Sequence, residues 1–158
     1  MERLLQLADE QKIILERSYL YPPIDAFYFH EPGTRPVITI GTHISDSRLL
    51  RVILAHELGH HFTSAGDMIH EHLCYSDVLT TSKAERTAAK WAAEFLMPQS
   101  ELAAVIGSGL RDKCEIAEHF GVTEELAEYR VRTLLCKHSK EVSTCRATSS
   151  GSTKATTR

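Results

Sequence analysis

The sequence lacks the features that mark membrane, secreted and nucleic-acid-binding proteins. None of its apolar runs approaches the roughly 18–20 residues that a membrane-spanning helix needs. Its N-terminal segment carries acidic residues and has no apolar stretch with a small-residue cleavage site, which argues against a signal peptide. Eighteen basic and 21 acidic residues give a net charge of -3, so no overall positive field attracts nucleic acid. These absences predict a cytoplasmic protein that is not bound to a membrane.

The cysteines show no pairing pattern. Cys74, Cys114, Cys136 and Cys145 include no C-x-x-C pair and have no regular spacing. With 158 residues, of which 42% are hydrophobic, the chain is long enough to form a core without disulfides. We therefore expect free thiols, as is usual in a reducing compartment.

Apolar periodicity and turn residues predict a mixed fold. Residues 2–17 show a rough helical period and are expected to form one helix, which ends before Pro22. Two runs rich in aromatic or β-branched residues, 24–29 and 37–40, flank a turn sequence and predict an antiparallel hairpin. A helix capped by Ser45 or Asp46 is expected to follow and to run to about residue 64. Further helices are predicted at about 83–96, 100–106, 112–120 and 123–136.

Two of the nine histidines have a spacing that indicates chemistry. Residues 56–60 read His-Glu-Leu-Gly-His, which is the H-E-x-x-H pattern. Because positions four apart lie on one face of a helix, His56 and His60 can bind one metal ion, and Glu57 can act as general base on a water there. The helix is apolar almost all round, which predicts burial, and buried polar groups are costly unless they are paired. The alternative is a buried helix in which these side chains form hydrogen bonds only.

A catalytic zinc site needs a third protein ligand. An extended pattern with a third histidine would require Gly at position 63 and His at position 66, whereas the chain has Thr63 and Gly66. We favour Glu85, because it begins a predicted helix whose alanines share its face and would allow a close approach to the zinc helix. The other candidates are Glu94, Asp67, His70, His72 and Cys74.

The residues that would stabilise an oxyanion in the transition state are less clearly indicated. A donor besides the metal is expected near the site. His70, His72 and Tyr75 are candidates because they lie between the two ligand-bearing segments. His61 points about 100° away from His60 around the helix, so we interpret it as a histidine at the surface or beside a ligand.

These segments resemble the ImmA/IrrE family of metallo-endopeptidases. The similarity covers roughly residues 20–136 and rests on residues 51–61, 85–98, 116–122 and 129–132. The resemblance implies one zinc ion held by His56, His60 and Glu85, with Glu57 as general base. It also implies a bacterial or phage protein, often encoded on a mobile element, that cleaves or antagonises a helix-turn-helix repressor and so releases the repressed genes.

We expect an α+β fold in which a small antiparallel β-sheet packs on a helical zinc-peptidase core, with a helical C-terminal subdomain. The core would be a zincin-like metallopeptidase domain over residues 1–106. A helical subdomain similar to a helix-turn-helix would follow over residues 107–138, after the breaker Gly-Ser-Gly. Residues 139–158 are rich in Ser and Thr and are expected to form a disordered tail.

Three functions are compatible with these patterns. The first is a zinc endopeptidase whose substrate is a helix-turn-helix repressor. The second is a non-proteolytic anti-repressor or antitoxin-like binding protein with a structural metal site. The third is DNA binding through residues 115–132, but the expected recognition helix carries Glu124, Glu125 and Glu128, which would repel phosphate. We therefore expect that segment to pack on the core or to recognise substrate, and direct nucleic-acid binding is disfavoured. Nothing in the sequence indicates the oligomeric state.

Overall fold

The computed structural model describes the backbone of residues 1–63, 68–73 and 82–147, and the side chains of residues 1–63 and 82–135. The elements in these ranges are, in chain order, α1 (Glu2–Glu10), β1 (Ile14–Ser18), β2 (Ile24–His30), β3 (Val37–Gly41), α2 (Ser47–Thr63), β4 (Met68–Leu73), α3 (Lys83–Leu96), α4 (Gln99–Gly107), α5 (Lys113–Phe120) and α6 (Glu124–Ala147). Helices and a small sheet together confirm the α+β fold.

The sheet has four strands in the order β1-β3-β2-β4. β2 pairs antiparallel with both β3 and β4, so the predicted hairpin is confirmed. β1 pairs with β3 in parallel, which makes the sheet mixed rather than wholly antiparallel.

The prediction of one helix over residues 2–17 is wrong in its second half. α1 ends at Glu10, Lys12 adopts a left-handed backbone with φ of 56°, and β1 begins at Ile14. Ile14 and Leu15 lie opposite Val37 and Ile38 in the parallel pair. This pairing between distant segments overrides the helical period, which is a purely local signal.

The helix that carries the H-E-x-x-H pattern is deeply buried over its second half. Asp46 caps it by accepting hydrogen bonds from the backbone N–H groups of Arg48 and Leu49, at 2.7 and 3.1 Å. Every residue from Val52 to His60 is buried. α2 contacts β2, β3 and α3, so the burial that its composition predicts is confirmed.

The C-terminal helices share the core of the rest of the protein. α5 ends at Phe120 and is capped by Gly121, whose φ of 61° is left-handed, and α6 then packs against α5 and α3. Buried residues of both helices belong to the same hydrophobic cluster as α2. α6 extends to Ala147, past residue 138, where the sequence predicts that structure ends. Residues 148–158 lie outside the described residues, and the division into core and subdomain stays a prediction.

Within the described part of the chain, no helix combines the length and the apolar character that crossing a membrane requires.

Candidate metal centre

Three side chains from two helices converge where α2 meets α3. The Nε2 atoms of His56 and His60 are 3.0 Å apart. Oε2 of Glu85 lies 3.2 Å from Nε2 of His56 and 3.3 Å from Nε2 of His60. Ligand atoms bound tetrahedrally at 2.0–2.1 Å are separated by about 3.3 Å. The group therefore has the spacing at which one metal ion could contact all three atoms, and its members could hold such an ion.

A close approach of the two helix backbones allows this convergence. A Cβ atom added at Gly59 would lie 2.6 Å from the carbonyl oxygen of Ala88, a distance that real Cβ contacts do not reach. Only glycine fits at this point, because the neighbouring atom belongs to the backbone and cannot rotate away. The face of α3 is likewise lined by small buried residues, namely Ala88, Ala89, Ala92 and Ala93.

Glu85 occupies the first turn of α3. Ser82 is the N-cap, and its hydroxyl accepts a hydrogen bond of 3.2 Å from the backbone N–H of Glu85. A serine followed three residues later by glutamate is typical of a capping box, in which the glutamate side chain turns back to the cap. Here the carboxylate is directed to His56 and His60 instead. The positive end of the helix dipole stabilises its negative charge.

Glu57 lies next to this group and is fully buried. Burial raises the pKa of its carboxyl well above the usual range, and the negative charge of Glu85 raises it further. Since a carboxylate is poorly solvated in the interior, burial destabilises its charged form and makes it a stronger base. A carboxyl group of this kind can take up a proton and hold it before passing it on.

Glu94, the other glutamate of α3 considered as a third ligand, interacts elsewhere. Its Oε1 lies 3.5 Å from Nη1 of Arg130 on α6. Arg130 is almost completely buried, and its Nε donates a hydrogen bond of 3.1 Å to the carbonyl of Met97. This arginine therefore links α6 to the end of α3.

His61 is half-buried rather than at the surface, and it contacts the sheet. Its Nδ1 lies 3.0 Å from the hydroxyl of Tyr28 on β2, and the two rings meet edge to face. Burial lowers the pKa of His61, and His30 lowers it further. The contact holds the last turn of α2 against β2.

The candidates between the two ligand-bearing segments remain untested. His70 and His72 lie on β4, where their backbones pair with Tyr28 and Ala26. Their side chains lie outside the described residues, as do Asp67, Cys74 and Tyr75 as a whole. Their roles as third ligand or oxyanion donor stay predictions.

Sequence reasoning missed two residues that shape the surroundings of the site. Tyr28 gives no signal, since an aromatic residue in a strand usually serves the core. Arg130 could have been found, because it lies four residues after Leu126 and four before Leu134, on the apolar face of α6. A charged residue in such a stripe requires a partner inside the protein.

Two imidazoles and one carboxylate form the ligand set of several catalytic zinc sites. A comparison with the curated proteins finds no match. A family model described as the IrrE N-terminal-like domain, peptidase M78, matches residues 13–132. The matched range is more than half of the chain and includes His56, Glu57, His60 and Glu85. The chain therefore belongs to the IrrE N-terminal-like (peptidase M78) family of metallopeptidases.

Proposed function

We propose that the protein is a zinc-dependent endopeptidase and that its substrate is a helix-turn-helix transcriptional repressor. The observation that carries the first part is the buried group of His56, His60 and Glu85 with Glu57 beside it. Membership of a metallopeptidase family supports the same reaction class. The choice of substrate rests on the resemblance to ImmA/IrrE proteins. Cleavage would inactivate the repressor in the cytoplasm and release the genes that it controls.

The ligand atoms would be Nε2 of His56, Nε2 of His60 and Oε2 of Glu85. Bound there, zinc would supply Lewis acidity, which acidifies a water molecule and polarises the carbonyl of the bond to be cut. The two histidines hold their positions through the buried helix α2, and Glu85 through the capped first turn of α3. This rigidity keeps the three donors in place before any substrate binds.

Glu57 would move the proton. Its carboxylate would accept a proton from the attacking water and then donate it to the nitrogen of the leaving amine. The raised pKa of this buried carboxyl favours holding the proton between the two transfers. One residue would therefore act first as base and then as acid.

Substitution of Glu57 tests this mechanism. Glu57→Gln keeps the size of the side chain but cannot accept the proton, so the rate of cleavage should fall by about 10²- to 10⁴-fold. Zinc content, measured by atomic emission, should stay at the wild-type level. The assay would use a purified helix-turn-helix repressor as substrate and follow its fragments by mass spectrometry.

Glu94→Gln is the matched control, because it changes another glutamate in the same helix pair that interacts with Arg130 rather than with the histidines. Its cleavage rate should match that of the wild type. If the Glu57→Gln protein cut the repressor as fast as the wild type, the mechanism would be wrong.

The second candidate is an anti-repressor or antitoxin-like protein that binds the repressor without cutting it. In such a protein, the metal held by His56, His60 and Glu85 would serve the structure alone. Zinc-loaded protein that forms a stable complex with the intact repressor and releases no fragments would support the binding function. Appearance of fragments that require both zinc and Glu57 would support the peptidase.

A further inference from the structure

A polar cavity lies on the other side of α2 from the candidate metal centre. It encloses about 280 Å³ and lies where the beginning of α1, the first half of α2, the end of α3, the beginning of α4 and the end of α5 meet. Arg51 lines it and precedes His60 by nine positions on α2. At 3.6 residues per turn, the two side chains leave the helix in about opposite directions. The cavity is therefore separate from the metal centre.

The Nε–H group of Arg51 donates no hydrogen bond to any described residue. Its Nε is buried, and within the ranges 1–63 and 82–135 no side chain or backbone group accepts a hydrogen bond from it. The guanidinium is packed against the end of α5, since a Cβ added at Gly121 would lie 3.0 Å from Nη1. A buried donor without an acceptor costs free energy. Arg51 also lines the cavity, so its guanidinium group is placed to bind an oxyanion there.

A second arginine lines the same cavity and is also not neutralised. The guanidinium carbon of Arg3 lies 4.8 Å from the ring centre of Phe95, a cation–π contact that positions the side chain. Glu101 is a carboxylate of the lining, yet it forms no ion pair with Arg3 or Arg51 in the described part of the chain. Both positive charges are therefore available to a ligand.

The remaining walls suit a small organic molecule. His119 and Phe120 form an aromatic wall in which their rings meet edge to face. Pro98 is the N-cap residue of α4, and its side chain accepts no hydrogen bond from the first turn. The positive end of this helix therefore borders the cavity without a side-chain cap. The volume is close to the lower end of the range for small-molecule sites, about 300 Å³.

We propose that this cavity binds a small organic anion through a carboxylate or phosphate group. The group would accept hydrogen bonds from Arg51 and Arg3, because a planar guanidinium matches the paired oxygens of such oxyanions. Glu101 opposes the anion and lowers its affinity. The site connects α1, α4 and α5 with the helix that carries His56, and it does not depend on the peptidase activity of the metal centre.

Titration of the zinc-loaded full chain with inorganic phosphate and with acetate, at constant ionic strength, tests the proposal. The readout is the proton resonance of the Arg51 Nε–H group, assigned by its loss in Arg51→Lys. Saturable binding is expected for at least one anion, and the two titrations separate a phosphate site from a carboxylate site. Arg51→Ala should weaken binding by about 10- to 100-fold, as expected for hydrogen bonds to a charged group.

Arg48→Ala is the matched control, because Arg48 lies on the same helix and pairs weakly with Glu118 outside the cavity. Its affinity for the anion should equal that of the wild type. Glu101→Gln should bind the anion more tightly, and this exposed substitution keeps the test valid if Arg51→Ala does not fold. The proposal is overturned if neither anion saturates the Arg51 resonance, if Arg48→Ala weakens binding as much as Arg51→Ala, or if Glu101→Gln does not strengthen it.

Discussion

The protein contains two helix pairs whose contact surfaces are built from opposite kinds of residue. Where α2 comes closest to α3, the backbones meet at Gly59 and Ala88, and polar side chains such as His56, His60 and Glu57 are buried. Where α5 meets α6, the larger buried side chains are apolar and the charged side chains along the contact are exposed, whereas the buried Arg130 of α6 interacts with the end of α3. The buried residues of that second pair include Ile116, Phe120, Leu126 and Leu134.

Under the proposed function, the first contact would serve chemistry, whereas the second serves stability. Small residues bring the backbones of α2 and α3 close enough for Glu85 to reach the histidines, at the cost of burying polar groups. The α5–α6 pair gains most of its stability from apolar burial. Lys113 approaches Glu124 and Glu128 at its surface, where such ion pairs contribute little. Changes in the two pairs should therefore have different consequences.

Zinc binding should give the largest change in stability, because zinc would join α2 to α3 and leave the α5–α6 contact unchanged. At a free zinc concentration a thousandfold above the Kd, the free energy of unfolding should rise by about 4 kcal/mol. His60→Ala should lose this stabilisation, and a chelator should remove it from the wild type. Thermal denaturation with and without zinc measures both. His43→Ala changes an exposed histidine paired with Asp25 and should keep the full zinc effect. An equal loss in that control would contradict the assignment of the ligands.

Enlarging Gly59 should separate α2 from α3. In Gly59→Ala the new Cβ would meet the carbonyl oxygen of Ala88, so the free energy of unfolding should fall by about 1–3 kcal/mol. Zinc affinity should also fall, since Glu85 moves away with α3. Gly107→Ala is the control, because nothing lies within 4 Å of its added Cβ. Urea denaturation and zinc titration compare the two variants, and equal stability would refute the close contact.

A truncation in the second pair should lower stability without affecting the metal. Ile116→Val removes one buried methylene group from α5, which should lower the free energy of unfolding by about 1 kcal/mol. The zinc Kd should stay unchanged, because the lost contact lies in the apolar cluster rather than between α2 and α3. Urea denaturation gives the first value and isothermal titration calorimetry the second. A change in the zinc Kd would show that the two pairs are coupled.

The smallest expected effect concerns reactivity rather than stability. Hydrogen bonds to the carboxylates of Glu124 and Asp112 raise the pKa of the exposed Cys114 thiol to about 11. The reactive thiolate is therefore scarce at neutral pH and forms only as the pH rises toward that value. Glu124→Gln should lower the pKa and speed alkylation at mildly alkaline pH. Mass spectrometry of the Cys114 peptide measures the rate. Glu125→Gln, a neighbouring exposed glutamate, should leave the rate unchanged.

Most of the helices, the hairpin and the spacing of the two histidines could be predicted because their signals are local. The spacing of His56 and His60, the cap at Asp46 and the breaker Gly-Ser-Gly each act within a few residues. The strand β1 could not be predicted, since Ile14 and Leu15 form a strand only by pairing with β3. The contact of Tyr28 with His61 could not be predicted either, because the two residues are far apart in the sequence.

The sequence by itself determined that two histidines and a glutamate lie on a buried helix, because helical periodicity and apolar composition are read directly from it. It also singled out Glu85 among several possible ligands. Only the tertiary structure decided that Glu85 reaches the histidines while Glu94 interacts with Arg130. The physical reason is that the distance between two helices depends on how their surfaces fit, here through the missing side chain at Gly59. Spacing along the chain contains no information about that fit.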